Sequence, residues 1–389
     1  MGVPPAAGDW PILPPYYNPI PARALRPPAF RSRRKGLTTS HRQRKEDHLR
    51  ICLEEDVAFR YPSSGFELVQ LPHLAAPEMA LEDVDISTRF LGHALRAPLL
   101  ISSMTGGTEW ARTINRNLAQ AAQELGIALA LGSLRAALED AATISTYQVR
   151  DIAPDVFLCA NLGAVQLNYG YDLEHCRRAV ELIGADALIL HLNPLQEALQ
   201  PGGNTNFRGL LDKIAAVCAG LPVPVIVKEV GWGISGELAR QLHLAGVAAI
   251  DVAGAGGTSW SQVEMYRAPD ESARRIAQAF EDWGIPTVQA LMEARRAVPG
   301  AVLIASGGLR SGVDVAKALA LGAQLAGIAH PLLRLATQSA EAVIGYLQEI
   351  IQELRIAMFC TGSRTLRDLQ NLPVVVRSAP AVHRAGTQQ

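Results

Sequence analysis

The sequence predicts an α/β protein built as a (β/α)8 barrel, a TIM barrel, with an N-terminal extension and C-terminal helices. Three observations predict it. Eight short apolar runs recur between residues 98 and 329, each giving way to an amphipathic helical segment. Runs that short and that apolar fit strands covered on both sides by helices. The repeat occupies about 250 residues, the size of one such barrel, and each run ends in glycines or polar residues, where barrels keep their chemistry. A doubly wound sheet is the alternative, because its units look the same taken singly.

A chain of 389 residues, 49% hydrophobic and 19% charged, can bury one large core. The net charge of −1 gives no global field that would draw the protein to nucleic acid or to a membrane surface. The five cysteines form no C-x-x-C pair, and Cys159 and Cys218, in apolar periodic segments, read as reduced, packed thiols. No apolar run reaches about 18 residues and no signal-like segment stands near the N-terminus, so a cytoplasmic location is expected.

Residues 1–43 hold clustered prolines and a basic run through Arg31, Arg33, Arg34 and Lys35, without helical or strand periodicity. They read as a disordered leader. A nucleic-acid arm is disfavoured because no aromatic residues interleave with the basic ones. An over-long gene start is a third reading. Ordered sequence is expected from residue 44, where Leu49, Cys52, Leu53 and Val57 form one helical stripe over 44–57. Arg44, Lys45 and His48 lie near the start of that helix. They are either an ordinary charged turn or an anion clamp, and cations at a helix start, where the dipole disfavours them, favour the clamp.

Residues 58–96 read as short strands and turns packed under the barrel. The eight strand runs follow: 98–104, 127–133, 156–163, 186–193, 224–231, 248–257, 301–308 and 323–329. Several of the intervening helices stop at glycine. The insertion 258–271 after the sixth run is longer than an ordinary βα loop and reads as a lid. Residues 331–376 carry a long helical pattern expected to cover the barrel and make subunit contacts, completing one unit over 44–376, with 377–389 as a tail.

A barrel brings the eight C-terminal strand ends onto one rim. They offer Met104-Thr105-Gly106-Gly107; Ser133 with Arg135; Asn161; His191, Asn193, Gln196 and Glu197; Lys228 and Glu229; Gly254 through Trp260; Gly307 through Arg310; and Ala329-His330. A ring of donors with few carboxylates suits a phosphorylated, electron-rich ligand. Backbone N–H groups at Gly308, Leu309 and Arg310 and at Ala329 and His330 can point at one phosphate, of a sugar or of flavin mononucleotide; a glycine turn needed only for geometry is the plainer reading. Lys228, ending an apolar strand, needs a partner or a lowered pKa. It is a flavin-ring lysine, a Schiff-base lysine or the salt-bridge partner of Glu229. Thr258 offers a hydrogen bond and Trp260 an apolar wall. Asn193 is either a capping residue or part of the site. Glu197 is either a surface glutamate favoured by a helix dipole or the single carboxylate that, with substrate phosphates, holds Mg²⁺. No His/Cys pair has zinc spacing.

These stretches resemble the type 2 isopentenyl-diphosphate isomerases, flavin-dependent (β/α)8 enzymes. The resemblance is carried by RKEDHL, SSMTGG, LGSLR, ANLGAVQ, HLNPLQE, VKEVGWGIS, AGAGGTSW, ASGGLRSG, LAGIAHP and MFCTG, in order from residue 44 to about 370. It implies interconversion of isopentenyl and dimethylallyl diphosphate by a 1,3 proton shift, with reduced FMN, NADPH as reductant and Mg²⁺. It implies FMN contacts at Met104, Thr105, Gly106, Ser133, Asn161, Lys228, Thr258, Gly308, Leu309, Arg310, Ala329 and His330. Substrate contacts fall to Arg44, Lys45, His48, Ser133, Arg135, His191, Asn193, Gln196 and Trp260. Gln196, His191 and Lys228 become the catalytic residues and Glu197 the Mg²⁺ ligand. A homo-oligomer, tetramer or octamer, without nucleic-acid or membrane partners, is also implied. Leu134 and Trp232 depart from the family's usual residues, which puts substrate affinity in question. Two rival readings remain: an FMN barrel oxidising 2-hydroxy acids, which would call for a His–Arg base-and-clamp pair, whereas the rim's one candidate base, His191, has the arginines elsewhere; and a non-catalytic flavin or diphosphate binder, against which the Gln196/Glu197 pair argues.

Overall fold

A computed structural model describes residues 41–377, so the reading of 1–40 as a disordered leader and of 378–389 as a tail lies outside the described residues. Eight parallel strands close into a barrel in sequence order. Counting barrel strands alone, they are β1 (Leu99–Ile101), β2 (Ala128–Ala130), β3 (Leu158–Gly163), β4 (Ala187–His191), β5 (Val225–Lys228), β6 (Ala249–Asp251), β7 (Leu303–Ser306) and β8 (Leu325–Ile328). Each falls inside one of the eight predicted runs, and the doubly wound alternative is excluded by closure.

The runs are apolar throughout because their two faces meet two different cores. Leu188, Leu190, Val225, Val227, Leu303 and Ala305 face the surrounding helices, while Leu100, Ala128, Cys159, Ile189, Ile226, Ala249, Ile304 and Leu325 fill the barrel's lower interior. The period of two then dictates what comes next on the inward face. One step above the apolar layer stand Ser102, Asn161, His191, Lys228, Asp251 and Ser306. Register puts Gly163, His191, Lys228 and Asp251 side by side on one rung. The barrel thus has an oily base and a polar floor beneath its upper mouth.

The hairpin of Thr88–Phe90 and His93–Leu95 closes the lower end, with Phe90 edge-on to Phe157 at 5.3 Å. Not all of 58–96 lies below the barrel, however. Ala58 bridges to Thr258 and Phe59 N–H donates to Gly257 O at 2.9 Å, so the chain crosses the upper rim before descending. The peptide groups left free where the β6 loop turns outward draw it there.

The N-terminal helix is His41–Glu54, starting three residues before the expected Arg44 and ending before Val57. Val57 is still buried, but in the chain that leaves the helix, against Ile51 and Val263. The insertion after β6 is not an irregular loop. It forms the helix Trp260–Arg267 and leads into a second, Glu271–Gln278, which Asp270 caps and which runs beyond the expected end at 271. The long pattern near the C-terminus is Ala340–Cys360, packed on Gly312–Ala320 and Glu109–Leu125. Beyond it, Val375–Val376 pairs antiparallel with Val69–Gln70, and Arg377, expected in the tail, continues that pairing through its N–H to Leu68 O. Among the described residues no helix is long and apolar enough to cross a membrane.

Candidate active site

The polar floor opens into a cavity of about 280 Å³ at the C-terminal mouth. All the sequence-predicted site residues except Gly106 line it: Arg44, Lys45, His48, Met104, Thr105, Ser133, Arg135, Asn161, His191, Asn193, Gln196, Glu197, Lys228, Thr258, Trp260, Gly308, Leu309, Arg310, Ala329 and His330. Gly106 lies behind the wall, where an added Cβ would come within 2.0 Å of the Tyr147 ring. Leu134 and Trp232 are buried and do not line the cavity.

His191 Nδ1 lies 2.8 Å from Asn161 Oδ1, and Asn161 Nδ2 donates to Ser103 Oγ at 2.9 Å. That chain makes Nδ1 the protonated nitrogen and leaves Nε2 with a bare lone pair. Burial, then the nearby Lys228 and Lys45 cations, push the His191 pKa down to about 3, so the ring is neutral. Lys228 is buried, and burial lowers its pKa as well. Its Nζ donates to the main-chain oxygen of Glu229 at 2.6 Å. The salt-bridge reading of Lys228 with Glu229 is therefore corrected. The Glu229 carboxylate turns away and accepts from the N–H groups of Val230, Gly231 and Trp232 at 2.6, 2.7 and 2.5 Å, pinning the loop after β5. Successive free peptide N–H groups form a concavity that binds an anion, and here they take the carboxylate.

Pro194 opens the short helix Pro194–Leu199, as its fixed φ and missing N–H favour. Asn193, at the cap position, makes no cap bond. Its Nδ2 donates to Gln196 Oε1 at 3.0 Å and Glu197 Oε1 at 3.2 Å. Glu197 is buried, which removes the surface-glutamate reading. Its Oε2 accepts from Gln200 Nε2 at 2.5 Å and from Asn204 N–H at 2.6 Å. All these hydrogen-bond partners are neutral amides, so none of them is a counter-charge to the carboxylate. Beside it, Asn193 Oδ1 is buried without a hydrogen-bond partner. One carboxylate and one free amide oxygen are the hard donors a Mg²⁺ ion takes when phosphates complete its shell. Among the described residues no group of three or more His, Cys, Asp or Glu is placed to hold a metal ion by itself.

The N-terminal helix closes the cavity from above, and the rim holds it at every turn. Arg44 Nη1 reaches Gln200 Oε1 at 3.4 Å, and Lys45 Nζ reaches Ser133 O at 2.9 Å. His48 meets Trp260 edge-on at 5.1 Å. At the helix C-terminus, His330 Nε2 lies 3.0 Å from Cys52 O and Arg334 donates to Leu53 O, satisfying carbonyls that the helix leaves open.

Sequence reasoning missed Glu264, on the helix of the insertion. It is buried, its Oε1 lies 2.9 Å from His48 Nε2 and 3.5 Å from Gln196 Nε2, and its Oε2 pairs with Arg267 Nη1 at 2.6 Å. It ties the N-terminal helix, the Gln196 turn and the insertion together. An acidic residue three before an arginine on a helix reads as a solvated pair, so no signal marked it. Gln200, joining Arg44 to Glu197, was missed for the same lack of signal.

The loops after β6 and β7 fit each other only through glycine. An added Cβ on Gly257 would come within 2.6 Å of Gly308 N, and one on Gly307 within 2.1 Å of Gly254 O. The phosphate cup predicted there loses one donor, because Arg310 N–H is taken by Asp314 Oδ2 at 3.1 Å, part of the capping box that starts the next helix. Ser102 Oγ, buried without a partner, faces the same cavity. A glycine-lined cradle, an unsatisfied hydroxyl and a buried lysine cation fit a phosphorylated, electron-rich ring system such as FMN.

The family of FMN-dependent dehydrogenases matches residues 199–375. An isopentenyl-diphosphate delta-isomerase of Nostoc sp. is 53% identical over 84% of this chain and 94% of its own length. The one from Stutzerimonas stutzeri is 54% identical, over 86% and 97%. The chain belongs to the type 2 isopentenyl-diphosphate delta-isomerases. The relative from Pseudescherichia vulneris, 53% identical, covers 87% of the chain and 98% of its own. Among solved structures, a mandelate oxidase variant carrying an FMN adduct superposes with a TM-score of 0.62 at 19% identity, over 87% of this chain and 99% of that one. A lactate oxidase of Pediococcus acidilactici gives 0.59 at 19% identity, over 81% and 85%. That likeness is one of fold. This delta-isomerase is therefore an enzyme built on a TIM barrel, with a match to an FMN-dependent family.

Proposed function

We propose that the chain interconverts isopentenyl and dimethylallyl diphosphate by a 1,3-allylic proton shift, with reduced FMN, Mg²⁺, and NADPH as the reductant. One proton is added at the terminal alkene carbon and one is lost from the carbon two positions along, so no net redox change occurs. When bound, reduced FMN supplies an electron-rich face and an exchangeable ring proton. Met104, Thr105, Ser133, Asn161, Lys228, Thr258, the 308–310 loop, Ala329 and His330 would hold it, while Gly106, behind the wall, would act only by leaving room for Tyr147.

The residues of this chain then divide the remaining work. Arg44, Lys45, His48 and Arg135 offer positive charge and donors to the diphosphate, and Ser133, Asn193 and Trp260 shape its pocket. Glu197, with Asn193 Oδ1 beside it, holds Mg²⁺ against the phosphates. Gln196, held between Asn193 and Glu264, presents its amide to the hydrocarbon end. His191 stays neutral and presents Nε2; to donate to a phosphate it must adopt its other tautomer, with the Asn161 amide turned over. The closed N-terminal helix excludes water from a developing tertiary cation. A homo-oligomer and a cytoplasmic location are proposed with this reading.

The observation that carries it is the buried Asn193–Gln196–Glu197–Glu264 network at the cavity wall, which a 2-hydroxy-acid oxidase or a passive binder has no use for. The test is an anaerobic assay with isopentenyl diphosphate, FMN, NADPH and Mg²⁺, omitting each in turn. Dimethylallyl diphosphate forms only with reduced flavin and metal, without stoichiometric NADPH loss. An FMN-loaded protein that yields no product but consumes a 2-hydroxy acid would overturn the proposal.

A further inference from the structure

Tyr147 stands outside every role assigned above, yet it is wholly buried and its hydroxyl is not idle. The hydroxyl donates to Ser133 O at 2.7 Å and accepts from Lys45 Nζ at 2.7 Å. Lys45 Nζ also donates to Ser133 O at 2.9 Å, which closes a triangle. The phenol is held in place from behind. Thr146 Oγ1 accepts from Gly107 N–H at 2.9 Å, and Thr146 O accepts from Asn115 Nδ2 at 2.9 Å. The ring occupies the space that any side chain at position 106 would need. Burial raises the phenol's pKa, so it stays protonated, spends its proton on Ser133 O, and keeps its oxygen lone pairs for the ammonium.

An ammonium has three N–H donors. Two are engaged by Tyr147 and Ser133, and Lys45 lines the cavity. We propose that Tyr147 is a positioning residue for substrate binding: its hydroxyl and the Ser133 carbonyl hold the Lys45 ammonium at the cavity wall, with its third N–H left for the substrate's diphosphate. This rests on the reading that Lys45 contacts that diphosphate. An aromatic that merely fills the core would leave the hydroxyl without this double engagement.

The charge state of Lys45 supplies a readout that packing alone would not move. Burial, then Arg44 on the same helix, lower its pKa to about 7; Glu139 opposes this and Arg135 adds to it from the helix after β2, and His191 faces it across the cavity. Two neutral acceptors favour the charged form, so removing one lowers the pKa further. The affinity for an anion then falls off at a lower pH.

The experiment uses FMN-loaded enzyme and compares wild type, Tyr147→Phe, Lys45→Met and the double variant, by titration with inorganic pyrophosphate and by steady-state kinetics across pH. Tyr147→Phe should raise KM and the pyrophosphate Kd about tenfold, the scale of one charge-assisted hydrogen bond, with kcat changed far less. The onset of the alkaline rise in KM should also move to lower pH. Lys45→Met should weaken binding more and abolish that rise, and adding Tyr147→Phe to it should change nothing further. If Lys45→Met binds pyrophosphate as wild type does, the diphosphate reading of Lys45 fails. If Lys45→Met weakens binding but Tyr147→Phe does not, or if the two effects add, the role of Tyr147 is overturned and that reading stands.

Discussion

Asn161 Oδ1 stands 2.8 Å from His191 Nδ1, and this contact decides what the histidine can do. It settles the tautomer of a ring that burial keeps neutral. Replacing Asn161 with Leu should lower kcat/KM about tenfold, the worth of one buried hydrogen bond plus a ring free to turn. The same substitution placed on a His191→Asn background should add much less. Equal losses in both backgrounds would show that Asn161 acts without His191.

The same histidine sets a pH dependence. Its pKa is about 3 in the folded apoprotein and about 6.5 in an unfolded chain. As pH falls below 6.5 the unfolded state takes up the proton first, so stability is full above 6.5 and is lost as pH falls toward 3. The slope from this one group is at most about 1.4 kcal/mol per pH unit. Urea titrations of the apoprotein between these limits should give a shallower dependence for His191→Asn than for wild type. Parallel curves would remove His191 as the source.

Gln196 is fixed at both ends of its amide, by Asn193 at 3.0 Å and Glu264 at 3.5 Å. Gln196→Ala should lower turnover by about a hundredfold or more while the protein still binds FMN and stays yellow. Undiminished turnover in a flavin-loaded variant would take Gln196 out of the chemistry.

Glu197 is a buried carboxylate held by neutral donors, next to an unpartnered amide oxygen. Chelation should stop turnover and added Mg²⁺ restore it. In Glu197→Gln, the Mg²⁺ concentration for half-maximal activity should rise at least about tenfold, since the hard anionic donor is gone. An unchanged metal dependence would place the metal elsewhere.

Much of this was legible in the sequence, and the part that was not has a common cause. The eight strands and the ring of polar ends follow from apolar runs that stop abruptly, and the pairing of β4 with β5 brings His191 and Lys228 onto one rung. Where a strand is apolar on both faces, however, its sequence does not say which face is the lumen. Glu229 follows Lys228 directly, which suggests a pair, but the strand's alternation sends the two side chains apart and the backbone captures the carboxylate. Glu264 meets His48 across more than 200 residues of chain and Tyr147 meets Lys45 across about 100, and no local pattern encodes such contacts.

Glu264 offers the sharpest test of how the cavity is closed. It shares one buried carboxylate among His48 at 2.9 Å, Gln196 at 3.5 Å and Arg267 at 2.6 Å. Glu264→Gln keeps the volume but takes from the buried Arg267 guanidinium its close counter-charge, leaving only the half-buried Asp47 carboxylate at 4.0 Å. Breaking a buried ion pair from one side typically costs about 3–5 kcal/mol, because the remaining charge stays desolvated. The loss should fall on the docking of the N-terminal helix, since His48 is its link to this carboxylate. Hydrogen exchange should therefore speed up in residues 41–54 and 260–267 of the variant, while the barrel strands keep their protection. Replacing Arg267 with Met in the same protein should recover part of the stability by removing the orphaned charge, without restoring affinity for the diphosphate. If exchange in the N-terminal helix is unchanged in Glu264→Gln, the helix is held by its other contacts, those of Arg44, Lys45, His330 and Arg334 among them, and Glu264 serves Gln196 instead.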